Sequence, residues 1–505
     1  MTRSLRARTT RATAVAASAL LVVLGPAGVP AFADQPATST AQPGPSAWEP
    51  PPVDMAALDS LPAENPAGTP DDPTFALGQN GGCIQSGVGK VQLTDRPAAQ
   101  DMLAIDQAQQ FSTGKGVTVA VIDTGVNPHP FLASGGRLRN GGDYILGDGN
   151  ALSDCDGHGT IVAGIIAADT RHQPDIAFTG VAPDADILAI KHTSTHFTAQ
   201  DDDNRTAGDL QTLAEAIRFA ADQSSVKVIT MSVDDCMLAS SEQATLASQS
   251  AMQLQAAIHY AVNDRDKVVI AAAGNLPSGG DGKTDQNGQQ AGACQNAKQN
   301  DDPNPNLLNQ VQAPPVYADD VMSVASVDPL TGAPSQFTVW GPWVTIAAPG
   351  EQITSLDPGP GSSGLSNRTT ENNQSVALQG TSFAAPYVAG VAALIRSKYP
   401  NLSARQVMYR MEATAQHPSG PGGRNNQIGF GIINPVAALT ALIPGQNGVP
   451  VTASRQIRAT LPMGAVKDWT PVRVAVIAAA VALTLLLSTL FVVRTVRRNR
   501  QMRQA

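Results

Sequence analysis

The sequence predicts an α/β domain: a mainly parallel sheet between helices on both faces, three layers in all, followed by one membrane-crossing helix. Two observations predict it. Between about residues 100 and 443, short runs that are apolar throughout alternate with helical stretches. Strands of that kind belong to parallel sheets covered on both sides. Near the end, "VAVIAAAVALTLLLSTLFVV" (474–493) carries no charge over 20 residues, enough to cross a hydrocarbon core of roughly 30 Å. With 505 residues and 42% hydrophobic content, the chain can fill one large core and still carry appendages.

The elements follow in order. The start, "MTRSLRARTTRATAVAASALLVVLGPAGVPAFADQ", has an arginine-bearing lead, a short apolar stretch and an Ala31-Phe32-Ala33 site. It reads as a secretory signal peptide, residues 1–33, cleaved after Ala33. Residues 34–100 form an N-terminal extension, rich in Pro, Ala, Gly and Ser to about Pro73, with the texture of an extended arm. Within a domain spanning 101–443, strands are expected in "GVTVAVIDTG", "ADILAIKH", "VKVITMSV", "KVVIAAAGN", "VMSVASVD" and "VTIAAPG". Helices are expected in "HGTIVAGIIAAD", "DLQTLAEAIRFAADQ", "SAMQLQAAIHYAVND" and "SFAAPYVAGVAALIRSKY". A linker, 444–473, leads to the membrane helix, 474–493, and a tail, 494–505. Arg494, Arg497, Arg498, Arg500 and Arg503 keep that tail in the cytoplasm by the positive-inside rule, with the main domain outside. The expectation is a single-pass plasma-membrane protein whose domain is extracytoplasmic.

The overall charge of −9 conceals an asymmetry, because residues 34–472 carry 23 basic against 42 acidic residues. A surface so acidic repels nucleic acid, and no basic patch with interleaved aromatics occurs. Cys83, Cys155, Cys236 and Cys294 contain no C-x-x-C pair, which argues against a zinc cluster or redox motif. In an oxidising compartment they read as two disulfides, with three possible connectivities.

In open α/β sheets the working groups sit beyond the carboxyl ends of strands. Asp123 ends "VTVAVI", Asn275 ends "VVIAAAGN", and His158 stands between Gly157 and Gly159 where a helix begins. Each alone has a plain explanation as a turn or surface residue. Ser382 heads an apolar helix in "LQGTSFAAPYVAGVAAL", with Pro386 expected in its first turn. As an N-cap, Ser382 would accept an orphan N–H; as a nucleophile it would use the electropositive helix start. The order Asp, His, Ser along one α/β domain is that of a hydrolytic triad, which favours the nucleophile.

"VAVIDTGV", "DGHGTIVAGIIAA", "GVAPDADILAIK", "VITMSV", "AAAGN" and "GTSFAAPYVAGVAAL" resemble the signature segments of subtilisin-type serine proteases (peptidase family S8). They cover most of residues 115–397. Signal peptide, Pro-rich arm, protease domain, single anchor, basic tail and "DCDGHGT" together resemble the mycosins, membrane-anchored proteases associated with type VII secretion in actinobacteria. The resemblance implies a subtilisin-like fold and a serine endopeptidase in which Ser382 attacks, His158 moves the proton and Asp123 orients it. It implies Asn275 as the oxyanion donor, Ser232 on the substrate-binding strand, and disulfides Cys83–Cys155 and Cys236–Cys294. It implies no metal and no cofactor. The partners implied are exported protein substrates, cleaved at the outer face of the plasma membrane, and the secretion membrane complex, which the protease also stabilises; the alternative is that the chain is mainly a structural subunit with secondary catalysis.

Two departures accompany the match. Val233-Asp234-Asp235-Cys236 stands where subtilisins have pocket-lining glycines, and the arm lacks the periodicity of a folded inhibitory propeptide; mycosin likeness implies that it stays attached and wraps the domain. Decoys are set aside on chemistry. "HTSTH" (His192, His196) lacks the glutamate of a zinc helix and holds β-branched threonines. Asp201, Asp202 and Asp203 lack the glycine and distal glutamate of a calcium loop, and no G-x-S-x-G occurs.

Overall fold

The structure, a computed structural model, describes residues 50–61, 75–77, 83–84, 95–146, 149–199, 206–232, 235–238, 248–276, 310–371, 374–446, 448–449 and 470–502. The expected signal peptide, the start of the N-terminal extension, Asp201 to Asp203, Val233, Asp234, Cys294 and most of the expected linker lie outside them.

Seven strands form the central sheet: β1 (Thr118–Asp123), β2 (Leu138–Asp143), β3 (Asp186–Lys191), β4 (Val226–Met231), β5 (Val268–Ala272), β6 (Met322–Val327) and β7 (Ile346–Pro349). Their order is β7-β6-β5-β4-β1-β3-β2, and every pairing is parallel. Six answer to the apolar runs. All of β1, β5, β6 and β7 is buried, as strands sandwiched between helix layers must be. The seventh, β2, is an edge strand with the sequence LRNGGD and a half-exposed start; lacking an apolar run, it leaves no such signal.

The chain leaves β1 toward the β2 edge, returns, then crosses to β4 and onward to β7. The switch in direction falls beside β1, where doubly wound sheets open a crevice. Helices α1 (His158–Ala167) and α4 (Thr381–Lys398) pack together on one face, while α2 (Leu210–Asp222) and α3 (Gln249–His259) pack together on the other. Both α2 and α4 lie on β1 and β4 without packing on each other, which fixes them to opposite faces. The β2–α1–β3 and β3–α2–β4 units move the same way across the sheet over opposite faces. They therefore have opposite hands, and one departs from the usual right-handed rule. The consequence is local: α1, with His158 at its tip, shares a face with α4, which carries Ser382.

The helix ends have recognisable chemistry. Asp209 and Thr212 form a reciprocal capping box on α2, as do Ser403 and Gln406 on α5 (Ala404–Thr414); such a cap contributes about 1 kcal/mol. The described parts of the arm are seated on the domain. Leu58 and Leu61 are buried, Arg218 Nη1 donates to both their carbonyls at 2.7 Å, and Phe75–Leu77 adds an antiparallel strand to Ser194–Ala199. Burying the two leucines contributes roughly 1.5–3 kcal/mol each before entropy is charged. At the other end, α6 (Thr470–Met502) is long and apolar enough from Val474 to Arg500 to cross a membrane, and none of that span is buried against the domain.

Candidate active site

Asp123 closes β1 and is buried, with its Oδ1 receiving the Thr124 N–H at 2.8 Å. The same oxygen lies 2.7 Å from His158 Nδ1. Two glycines make this approach possible. Gly157, the N-cap of α1, takes φ 78°, a left-handed turn that L side chains resist. A Cβ on Gly159 would lie 2.1 Å from the Gly125 carbonyl oxygen and 3.1 Å from Asp123 Oδ1, so only glycine lets the helix start rest on the strand end.

The helix start is held from beneath by Asp154, which sequence reasoning overlooked. Its Oδ1 accepts from Thr124 Oγ1 at 2.8 Å and Gly157 N at 2.7 Å; its Oδ2 accepts from Thr160 N at 2.9 Å and Thr160 Oγ1 at 2.6 Å. Burial pushes this carboxyl up to about 6, with the nearby Asp123 adding to the rise, against the pull of the Thr160 and Thr124 donors. The signal was present in "DCDGHGT": an aspartate three residues before a glycine at a helix start is an Asx-type cap.

Ser382 is the second residue of α4; the N-cap is Gly380, without any side-chain cap. The capping explanation of this serine therefore fails. Pro386 is the helix's sixth residue, beyond the first turn where it was expected. Its ring removes the N–H that would have bonded the carbonyl four residues back, and that carbonyl belongs to Ser382. Ser232 replaces the lost donor: its Oγ donates to Ser382 O at 3.1 Å. Ser232 follows β4 directly and is itself buried at the cleft wall.

Asn275 lies just beyond β5. Its Oδ1 accepts from Thr381 N at 2.9 Å and Thr381 Oγ1 at 3.1 Å, so the amide NH2 faces the other way. A Cβ on Gly380 would sit 3.0 Å from Ser382 Oγ and 3.8 Å from Asn275 Nδ2; hydroxyl and amide flank one point in space. A donor so placed, beside the helix start, suits an anion forming next to the hydroxyl.

These groups meet in a cleft of about 480 Å³ lined by Asp123, Asp156, His158, Thr195, Ser232 and Ser382, among others. The Phe383 ring packs 5.0 Å from the His158 imidazole, centroid to centroid. Burial pushes the imidazole down, but the charge and hydrogen bond of Asp123, with Asp154 and Asp156 behind, hold it above its ordinary value. The arrangement can take a proton from the serine and stabilise the imidazolium that results.

Of the expected site residues, the structure brings Asp123, His158, Ser232 and Ser382 to one cleft, with Asn275 beside the Ser382 end of α4. Cys83 and Cys155 are joined, and the Ile84 N–H bonds the Cys155 carbonyl at 2.9 Å, which ties the arm to the His158 loop. Cys236 lies in a strand, Asp235–Leu238, paired antiparallel with Gln310–Ala313; its expected partner Cys294 is outside the described residues. The "HTSTH" segment leads into a strand, Ser194–Ala199. His192 Nε2 is engaged with Asp209 O at 3.0 Å and Thr212 Oγ1 at 3.1 Å, while His196 lines the cleft.

A serine endopeptidase of the subtilisin type is what this framework builds, and residues 114–431 match the family described as Peptidase_S8, the subtilase family. Mycosin-3 from Mycobacterium tuberculosis is 39% identical over 479 residues, covering 90% of this chain and 95% of that protein. Mycosin-1 from Mycolicibacterium smegmatis is 39% identical over 368 residues, 69% of this chain and 74% of its own. The chain belongs to the subtilase family and, within it, to the mycosins. A solved structure of the serine protease MycP1, described as an essential component of the type VII (ESX-1) secretion system, has TM-score 0.63 and 38% identity. It covers 78% of this chain and 100% of that one. A chain in the structure of an intact ESX-5 inner membrane complex has TM-score 0.64 and 36% identity, covering 88% of this chain and 100% of its own.

Proposed function

We propose that the chain is an exported, membrane-anchored endopeptidase that cleaves proteins passing through a type VII secretion system at the outer face of the plasma membrane. Ser382 Oγ attacks the peptide carbonyl. His158 Nε2 takes the hydroxyl proton and returns it to the leaving amine, while Asp123 holds Nδ1–H and stabilises the imidazolium. Asn275 Nδ2 and the Ser382 N–H bind the oxyanion. Ser232 lies where an extended substrate adds its backbone to the cleft strand. The observation carrying the reading is the 2.7 Å contact between His158 and buried Asp123 in the cleft that also holds Ser382.

In this reading residues 1–33 are the signal peptide, 34–100 an arm retained on the domain, 101–443 the protease, 444–473 the linker, 474–493 the anchor and 494–505 the cytoplasmic tail. A second bridge joins Cys236 to Cys294. The mycosin-like chain in an ESX-5 inner membrane complex supports docking of this chain on such a complex. It also favours a second reading, in which the chain serves mainly as a structural subunit.

Secretion in cells carrying Ser382→Ala, compared with cells lacking the whole chain, separates the two. Proteolysis as the essential act predicts that both block secretion while the complex stays assembled in Ser382→Ala. Secretion lost only on deletion makes scaffolding the essential role and cleavage a trimming step.

A further inference from the structure

Two residues before His158, Asp156 lines the same cleft, half-buried. Its carboxylate is held in place: Oδ1 accepts from Thr195 N at 2.8 Å and Thr195 Oγ1 at 2.6 Å, and Oδ2 accepts from Ser194 Oγ. All three donors are neutral. An ionised carboxylate has about four acceptor positions, so the group keeps capacity for one more donor. Among the described residues no lysine or arginine pairs with it. Among the described residues the only other carboxylate lining the cleft is Asp123, which is buried and committed to His158.

The charge is also one-sided. Asp156 stands with Thr193, Thr195 and His196, whereas the wall formed by Thr369, Ala377, Leu378 and Gln379 carries no charged side chain. Bracing the His158 loop against the Ser194–Ala199 strand does not itself require a negative charge. An asparagine could accept from Thr195 and donate to Ser194. Beyond the small pull it adds on the His158 imidazole, the charge has a use if something cationic enters the cleft, and a fixed anion needs little reordering to receive it.

The geometry points to Asp156 as a specificity-determining residue that binds a lysine or arginine side chain of the substrate polypeptide close to the scissile bond. This rests on the catalytic reading above, since the cleft must be the one in which cleavage occurs. A charge-assisted hydrogen bond at a half-buried site corresponds to about a tenfold preference for the cationic side chain over a neutral one of similar length.

The test uses the full chain in detergent and peptides that differ only in bearing Lys, Arg or Gln at each of several positions flanking the cleaved bond. The expected result is a kcat/KM ratio of about ten for Lys or Arg over Gln at one position. That ratio falls toward one in Asp156→Asn and shrinks for the wild-type protein as salt is raised. Ratios at the other positions stay where they were. Because His158 serves every peptide equally, the ratio is blind to any general loss of folded or active enzyme, which a merely structural role would produce. No cationic preference at any position, or a preference that survives in Asp156→Asn, overturns the inference. Should Asp156→Asn fail to fold, the salt series decides: a ratio indifferent to salt overturns it. Cleavage that persists in Ser382→Ala would instead remove the catalytic reading, and is scored separately.

Discussion

Pro386 and Ser232 are coupled through a carbonyl that neither carries. The proline deletes the N–H that α4 would offer to Ser382 O, and the Ser232 hydroxyl supplies a substitute at 3.1 Å. Ser382 is only 8% exposed, so water cannot easily replace that donor. Ser232→Ala should therefore destabilise the domain by about 1–3 kcal/mol, the usual cost of leaving a buried polar group unmatched. In a Pro386→Ala background the helix makes its own bond to Ser382 O, and Ser232→Ala should cost about 1 kcal/mol less. Whatever Pro386→Ala does to helix propensity appears on both sides of the double-mutant cycle and cancels. The four variants would be made in Ser382→Ala, which keeps the carbonyl and stops self-digestion. Their denaturant midpoints would be followed by the fluorescence of buried Trp343. Equal costs for Ser232→Ala in both backgrounds would refute the coupling.

Four further outcomes follow from the same geometry. Asn275→Ala should lower kcat about 100- to 1000-fold with KM little changed, because its amide acts on charge that exists only in the transition state; a change confined to KM would contradict that role. The proposed mechanism needs neutral His158, and Asp123 with its neighbours holds the imidazole above its ordinary value. The acid limb of kcat/KM should therefore lie above pH 6.5, and Asp156→Asn should move it lower; a limb below pH 6.5 in the wild type counts against the assignment. Gly159→Ala drives a methyl against the Gly125 carbonyl at 2.1 Å, and the helix must shift by roughly 1 Å to relieve it. That predicts about a 100-fold loss in kcat/KM and about 1–3 kcal/mol of stability, read by kinetics and melting. Ending the chain before α6 should release active protease from the membrane fraction; if it still sediments with membranes, the domain has another attachment.

What was legible in the sequence was whatever leaves a local trace. Six strands announced themselves because burial on both faces demands an unbroken apolar run, and the glycines around His158 marked a close approach before the approach was visible. The edge strand β2 leaves no run because half of it faces water, and α5 has little more than the capping box in "SARQ" as its trace. A helix start read at Ser382 puts Pro386 in the first turn; the N-cap is Gly380, and the shift changes the residue's role from tolerated to consequential.

The placement of the site itself depends on something no short segment encodes. His158 and Ser382 lie far apart in the chain, at the tips of α1 and α4, and they meet because those helices share a face of the sheet. Had the β2–α1–β3 connection taken the same hand as the β3–α2–β4 connection, α1 would lie beside α2 and its histidine would open toward the wrong layer. The constraints that hold α1 where it is are therefore part of the catalytic design: Gly159 against Gly125, Asp154 beneath the helix start, and the Cys83–Cys155 bridge beside them. None of the three touches substrate. Each is a place where a change that spares the serine, the histidine and the aspartate should still lower cleavage.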